Sequence, residues 1–147
     1  MKNSTVRLET IEISNFKNVT YGKICFDNTH KEYAASILGL YGQNGSGKTS
    51  LIDAMDLLKR LLMGQQIPAN FADCINVDAE SAHFTFQFKV SCENNISTSY
   101  TALYEFSIRK DQDVTTANMQ QAIQYKTTVF DEVLSISFKN EVKSRRL

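Results

Sequence analysis

The chain has 147 residues, within the roughly 100–200 of one domain, and so excludes a multidomain machine. Hydrophobic residues make up 42%, enough for a core at this length, which excludes intrinsic disorder and a collagen-like rod. Sixteen Lys and Arg offset sixteen Asp and Glu, so the broad basic field of a DNA-coating protein is absent and any nucleic-acid role needs a local patch.

No apolar run reaches the ~18 residues of a membrane span, and the charged segment after Met1 is unlike the apolar stretch of a signal peptide. A cytoplasmic protein without a membrane partner is expected. Cys25, Cys74 and Cys92 are far apart and lack metal-ligand spacing, so they are expected to be reduced, mostly buried thiols.

In chain order, Val6 to Ile13 is rich in β-branched residues with a skip in its alternation near Thr10, the pattern of a strand with a bulge. Asn15 to Asn18 supplies turn chemistry, and Tyr21 to Phe26 is the second arm of a hairpin, closed by Asp27-Asn28. Tyr33 to Tyr41 is a nearly continuous apolar run, expected as a strand buried on both faces. From Lys48 onward Leu51, Ile52, Met55, Leu58, Leu61 and Leu62 recur at three- and four-residue spacings, which predicts an amphipathic helix ending near Gly64, with Pro68 beyond it.

After a polar connection the period becomes two. Phe84, Phe86, Phe88 and Val90 alternate with polar residues, as do Tyr100, Ala102, Tyr104, Phe106 and Ile108. Turns are expected at Cys92–Asn95 and Lys110–Asp113, and two further strands at Ile123–Phe130 and Val133–Phe138; Thr115–Gln121 reads as a loop or short helix. The second half is thus an antiparallel meander.

Between the apolar run and the helix stands Gly42-Gln43-Asn44-Gly45-Ser46-Gly47-Lys48-Thr49, which satisfies G-x-x-x-x-G-K-[ST] at every fixed position. Glycines allow successive N–H groups to point inward at a phosphate, and the helix beginning near Lys48 adds unpaired donors and the positive end of its dipole. Lys48 then supplies a mobile charge to the outer phosphates, and the Thr49 hydroxyl is placed to ligate Mg²⁺. Four such positions coincide by chance in about one chain in a few hundred of this length, and the expected strand before and helix after lower that further. Gly42, Gln43, Asn44, Gly45, Ser46, Gly47, Lys48, Thr49 and Ser50 are the candidate nucleotide-binding residues, with Thr49 the candidate metal ligand.

Together with Ile11-Glu12-Ile13-Ser14-Asn15-Phe16-Lys17-Asn18 and the continuation Ser50-Leu51-Ile52-Asp53-Ala54-Met55, this loop resembles the start of ABC-type ATPase heads. The nearest groups are RecF, structural maintenance of chromosomes and OLD-like proteins, including AAA-family ATPases. The resemblance implies an α/β fold: a P-loop NTPase lobe with a mixed sheet, one long helix after the loop and an appended antiparallel β-meander. It divides the chain, a partial ATPase domain over residues 1–147, into a nucleotide-binding lobe at 1–68 and a mainly antiparallel β subdomain at 69–147. ATP and Mg²⁺ are the implied cofactors. The implied partners are a second copy or the remaining half of the ATPase, together with DNA or an effector protein.

Hydrolysis in such heads needs an apolar strand ending in Asp-Glu and an LSGG-like signature from a partner head. Thr127 to Glu132 is the one candidate for that strand end, and its threonines and antiparallel setting disfavour it. The expectation is therefore an N-terminal lobe that binds ATP and hydrolyses it slowly or not at all without missing motifs or a partner chain. A complete small NTPase or kinase using Asp131 and Glu132 is one alternative, and a non-enzymatic module stabilised by nucleotide is another. Lys17, in the turn the family directs at the nucleotide, is read as a solvated lysine or a phosphate contact. His30 and His83 lack catalytic partners nearby. Phe84, Phe86 and Phe88 are expected as core rather than a base-stacking platform. Lys143, Arg145 and Arg146 are expected to be solvated.

Overall fold

The computed structural model describes residues 4–26, 39–92, 98–112, 125–138 and 141–146. Strand β1 (Ser4–Phe16) turns back into β2 (Val19–Cys25), and helix α1 (Lys48–Leu62) leads through a 3₁₀ helix (Ala69–Cys74) into β3 (Ser81–Cys92), β4 (Thr98–Gln112), β5 (Tyr125–Phe138) and β6 (Glu141–Arg146). The strands form one six-stranded sheet in the order β2-β1-β3-β4-β5-β6, antiparallel at every pairing among the described residues.

That order revises the expected architecture in two respects. The N-terminal hairpin and the later meander belong to one sheet, because β1 pairs with β3 from Ser4↔Cys92 to Ser14↔His83. The parallel neighbour needed for a mixed sheet was expected at Tyr33–Tyr41, most of which lies outside the described residues. Its described end departs from the expectation: Leu40 and Tyr41 have no regular structure, and Tyr41 is 95% exposed because no described element packs over it.

The skip near Thr10 is a bulge. Leu8 pairs with Phe88 and Thr10 with Gln87, leaving Glu9 as the extra residue, and the Glu9 carbonyl accepts from the Phe26 N–H at 2.8 Å. The slip buries Thr10 and Ile11 in succession, after which Ile11 and Ile13 share the covered face.

The core lies on that face. Phe84 and Phe86 from β3 and Phe106 from β4 are fully buried, with Phe84 and Phe106 stacked at 5.1 Å and Phe16 edge-on to Phe84 at 5.0 Å. Of the alternating phenylalanines on β3, Phe84 and Phe86 are core and not free to stack on a base, while Phe88 is partly buried and packs against that core. The opposite face is polar. There the Lys23 ammonium, 2.7 Å from Glu12, holds that carboxyl below its usual range, while His83 hydrogen-bonds Ser107 at 2.9 Å.

Helix α1 packs a different stripe than expected. Leu51, Ala54, Leu57 and Leu58 are buried, whereas Ile52, Met55 and Leu62 are exposed. Apolar residues cover more than half of the helix, so periodicity leaves the choice of face open; the stripe that packs carries Ala54, whose small side chain lets the helix come close to the core.

The connection after α1 is polar and poorly patterned in sequence, yet Ile67, Phe71 and Ala72 are buried there and the 3₁₀ helix docks on β5. Thr127 ties it down, donating to the Pro68 carbonyl at 2.9 Å and accepting from the Ala72 N–H at 3.0 Å. The turn expected at Lys110–Asp113 is instead strand through Gln112, because Lys110 pairs with Thr127 and Asp111 with Lys126. Likewise β5 is one strand where two were expected, bulged where Phe106 faces Asp131 and Glu132; Asp131 takes φ 51 there. Cys25 is exposed on the edge strand β2, contrary to expectation, and Cys74 is partly buried, where burial pushes its thiol pKa up. The backbone of Lys143, Arg145 and Arg146 runs in β6. Asp27-Asn28, His30, Thr115–Gln121 and most of the Cys92–Asn95 turn lie outside the described residues.

Candidate functional site

The glycine-rich loop runs from Gly42 into the first turn of α1 and rests against the β1–β2 turn. Gln43 to Ser46 close a tight turn through the Ser46 N–H and the Gln43 carbonyl at 3.2 Å. Gly45 and Gly47 take φ 86 and 88, a region that costs a side-chain-bearing residue roughly 1–2 kcal/mol. Gly47 is doubly constrained, since a Cβ there would stand 3.0 Å from Val19 Cγ2.

Gly47 is also the residue before α1, and it provides no side-chain cap; no acid stands in the first turn either. Helices usually satisfy their first N–H groups with a Ser, Thr, Asp or Asn cap. Here those donors, with the positive end of a 15-residue helix, remain available to an anion.

Lys48 arches back over the loop. Its ammonium donates to the Gly42 and Gln43 carbonyls, both at 2.6 Å, with Ser46 Oγ 3.3 Å away. The positive charge is therefore fixed at the loop mouth by neutral acceptors rather than cancelled by a carboxylate. Thr49 is exposed beside it, whereas Ser50, the last candidate in the sequence-derived set, is 1% exposed and turns its hydroxyl to Asn18 Oδ1 at 3.3 Å. Gln43 and Asn44 are exposed. A cavity of about 480 Å³ adjoins the loop, lined by Val19, Tyr21, Gly22, Ile24 and Gly45 to Gly47 among others, within the size range of small-molecule sites.

Residues 37–91 match the family described as "AAA domain, putative AbiEii toxin, Type IV TA system". The match supports a P-loop AAA-type ATPase region over these residues. The match spans the P-loop, α1, the 3₁₀ helix and nearly all of β3, and it implies nucleotide binding with the Mg²⁺ use that is usual for such domains. No curated protein matches the chain.

Other candidates fall away from the P-loop. Lys17 forms an ion pair with Asp53 on α1, so its charge is engaged by a carboxylate instead of facing a phosphate. Glu132 accepts a hydrogen bond from Tyr104 and, with Asp131, sits on β5, three strands from β1 and on the order of 14 Å across the sheet at ~4.8 Å per strand. Burial first, and then the Glu132 acceptor, push the Tyr104 phenol pKa above its usual range. Among the described residues no helix is long and apolar enough to cross a membrane, and no His, Cys, Asp and Glu cluster could hold a metal ion by itself.

One contributor escaped the sequence reading. Asn18, named there in a turn and in the stretch that carries the resemblance but not as a site residue, reaches both the Gly45 carbonyl and the Ser50 hydroxyl. Nothing in its local sequence distinguishes it from any other turn asparagine.

Proposed function

We propose that residues 42–50 bind the triphosphate of ATP with Mg²⁺, and that the chain acts as the nucleotide-binding lobe of an ABC-type ATPase. The observation that carries this reading is the uncapped, acid-free N-terminus of α1 set behind a loop whose mouth holds the Lys48 ammonium. In this reading backbone N–H groups of the loop and first helical turn hold the phosphates, and Lys48 exchanges a carbonyl contact for a phosphate oxygen. Thr49 ligates Mg²⁺, which neutralises charge on the outer phosphates. Val19 and Ile24 offer apolar surface beside the loop to the remainder of the nucleotide.

Turnover, in the same reading, requires an acidic strand end and a second head to complete the site, with DNA or an effector protein receiving the resulting motion. The placement of Glu132 on Tyr104 favours this over a self-contained NTPase built on Asp131 and Glu132. Binding of Mg·ATP and Mg·GTP together with phosphate release tests the reading. Saturable ATP binding with little turnover, unaffected by Glu132→Gln, is expected; brisk turnover abolished by Glu132→Gln contradicts it in favour of the self-contained enzyme.

A further inference from the structure

Asn18 lies outside the segment that matches a known family, and its neighbours hold it in place from two sides. Asn15 and Lys17 both take left-handed backbone angles, φ 56 and 54, a region that asparagine tolerates but that a lysine adopts at a cost its surroundings must offset. The offset comes from the connection after α1: the Lys17 N–H donates to the Cys74 carbonyl at 2.6 Å, and the Asn76 N–H donates to the Asn15 carbonyl at 2.9 Å. Between them Phe16 is fully buried, stacked against Phe71 and edge-on to Phe84. The turn is thus anchored in the core, and the side chain leaving it is aimed before any ligand arrives.

Two struts run from this turn to the phosphate-binding unit. Lys17 pairs with Asp53, fixing the helix one turn beyond Thr49. Asn18 spans the loop itself: its amide donates to the Gly45 carbonyl, and its oxygen accepts from the buried Ser50 hydroxyl. Gly45 needs such a restraint. A Cβ there would meet nothing within 4 Å and glycine crosses φ/ψ space at little cost, so besides Asn18 the peptide joining Gly45 to Ser46 is held by the Ser46 N–H on the Gln43 carbonyl at 3.2 Å. A turned peptide would direct a carbonyl oxygen, partially negative, toward a bound phosphate, where N–H donors are required. A carbonyl engaged by Asn18 is held out of that position.

We propose that Asn18 is a positioning residue of the nucleotide site, acting through the Gly45 carbonyl to hold the Gly45–Ser46 peptide in the orientation that accepts an anion. The proposal rests on the nucleotide-binding reading above. Removing the bracket lowers the fraction of chains with a competent loop and so reduces apparent affinity by the same factor, through slower association.

The test uses the full chain, with Mg·ATP as the probe. Asn18→Ala is expected to weaken binding about tenfold, the size expected when one net hydrogen bond is lost, with the change in the association rate and with only the modest fall in ligand-free melting temperature that follows from leaving the buried Ser50 hydroxyl without its acceptor. Amide exchange at Gly45 and Ser46 is expected to accelerate in the ligand-free protein. Asn18→Asp keeps the acceptor for Ser50 but removes the donor to Gly45, and serves where alanine does not fold; at least the same loss is expected. Binding by both variants equal to wild type overturns the proposal while leaving the nucleotide reading intact. A fall in melting temperature in Asn18→Asp, which keeps the acceptor for Ser50, that tracks the binding loss overturns it in favour of a structural role. If wild type itself binds no nucleotide, the underlying reading fails, and unchanged Gly45–Ser46 exchange in the variants would separately refute the bracket.

Discussion

The sheet and the P-loop are stabilised by opposite means. Around Phe84, Phe86 and Phe106 the chain is held by apolar area and ring packing, non-directional forces that grow with the surface removed from water. From Gly42 to Ser50 the residues other than Ser50 are exposed or half-buried, and a few directed contacts hold the loop: Lys48 on two carbonyls, Asn18 on Gly45, Val19 against Gly47. The contrast separates two kinds of damage. Substitutions in the sheet should lower stability, with any effect on binding secondary, whereas substitutions in the loop should lower affinity while the fold persists.

The largest expected effect lies in the sheet. Phe106→Ala removes a fully buried ring in contact with three others and should destabilise by about 3–5 kcal/mol, read as a denaturant midpoint shift. A loss below about 1 kcal/mol would mean that the aromatic cluster is not the main support. Next, Gly47→Ala forces an alanine into φ 88 with its Cβ 3.0 Å from Val19, costing roughly 1–2 kcal/mol and abolishing nucleotide binding. Affinity at the wild-type level in that variant would break the comparison from the loop side.

A smaller effect sharpens the sheet side. Tyr104→Phe leaves the Glu132 carboxylate without its donor and should cost on the order of 1–2 kcal/mol, with nucleotide affinity unchanged. The same pair gives a pH dependence. Because the phenol pKa is raised in the folded chain, this contribution is complete below the unfolded tyrosine pKa of about 10 and declines as pH rises beyond it. Chemical denaturation between neutral pH and pH 11 should show a loss in wild type that is reduced in Tyr104→Phe.

Much of this was legible in the sequence because it is local and repeated. The fixed positions of the P-loop, the alternation of Phe84, Phe86 and Phe88, and the skip near Thr10 each imprint a short-range pattern. What was missed depends on partners remote in sequence. The 3₁₀ helix at Ala69–Cys74 has no period to betray it and is secured by Thr127, while the exposed Ile52 and the buried Leu57 trade expected roles according to which side of α1 meets the core. Asp53 reads as a solvated helix residue until Lys17 arrives from the hairpin, and the pause between Phe130 and Val133 is a bulge because β4 continues past it. Asn18 belongs with these cases. Its role exists only once the turn is anchored to Cys74 and Asn76.

The most direct measurement of the central claim is calorimetric titration of Mg·ATP into the folded full chain and into Lys48→Ala. The account predicts one saturable site in wild type. It predicts affinity about 10–100-fold lower in the variant, the size of a lost charge-assisted contact, at an unchanged melting temperature. Absence of any heat of association in folded wild type across several nucleotide and salt conditions, or equal affinity in both proteins, would contradict it.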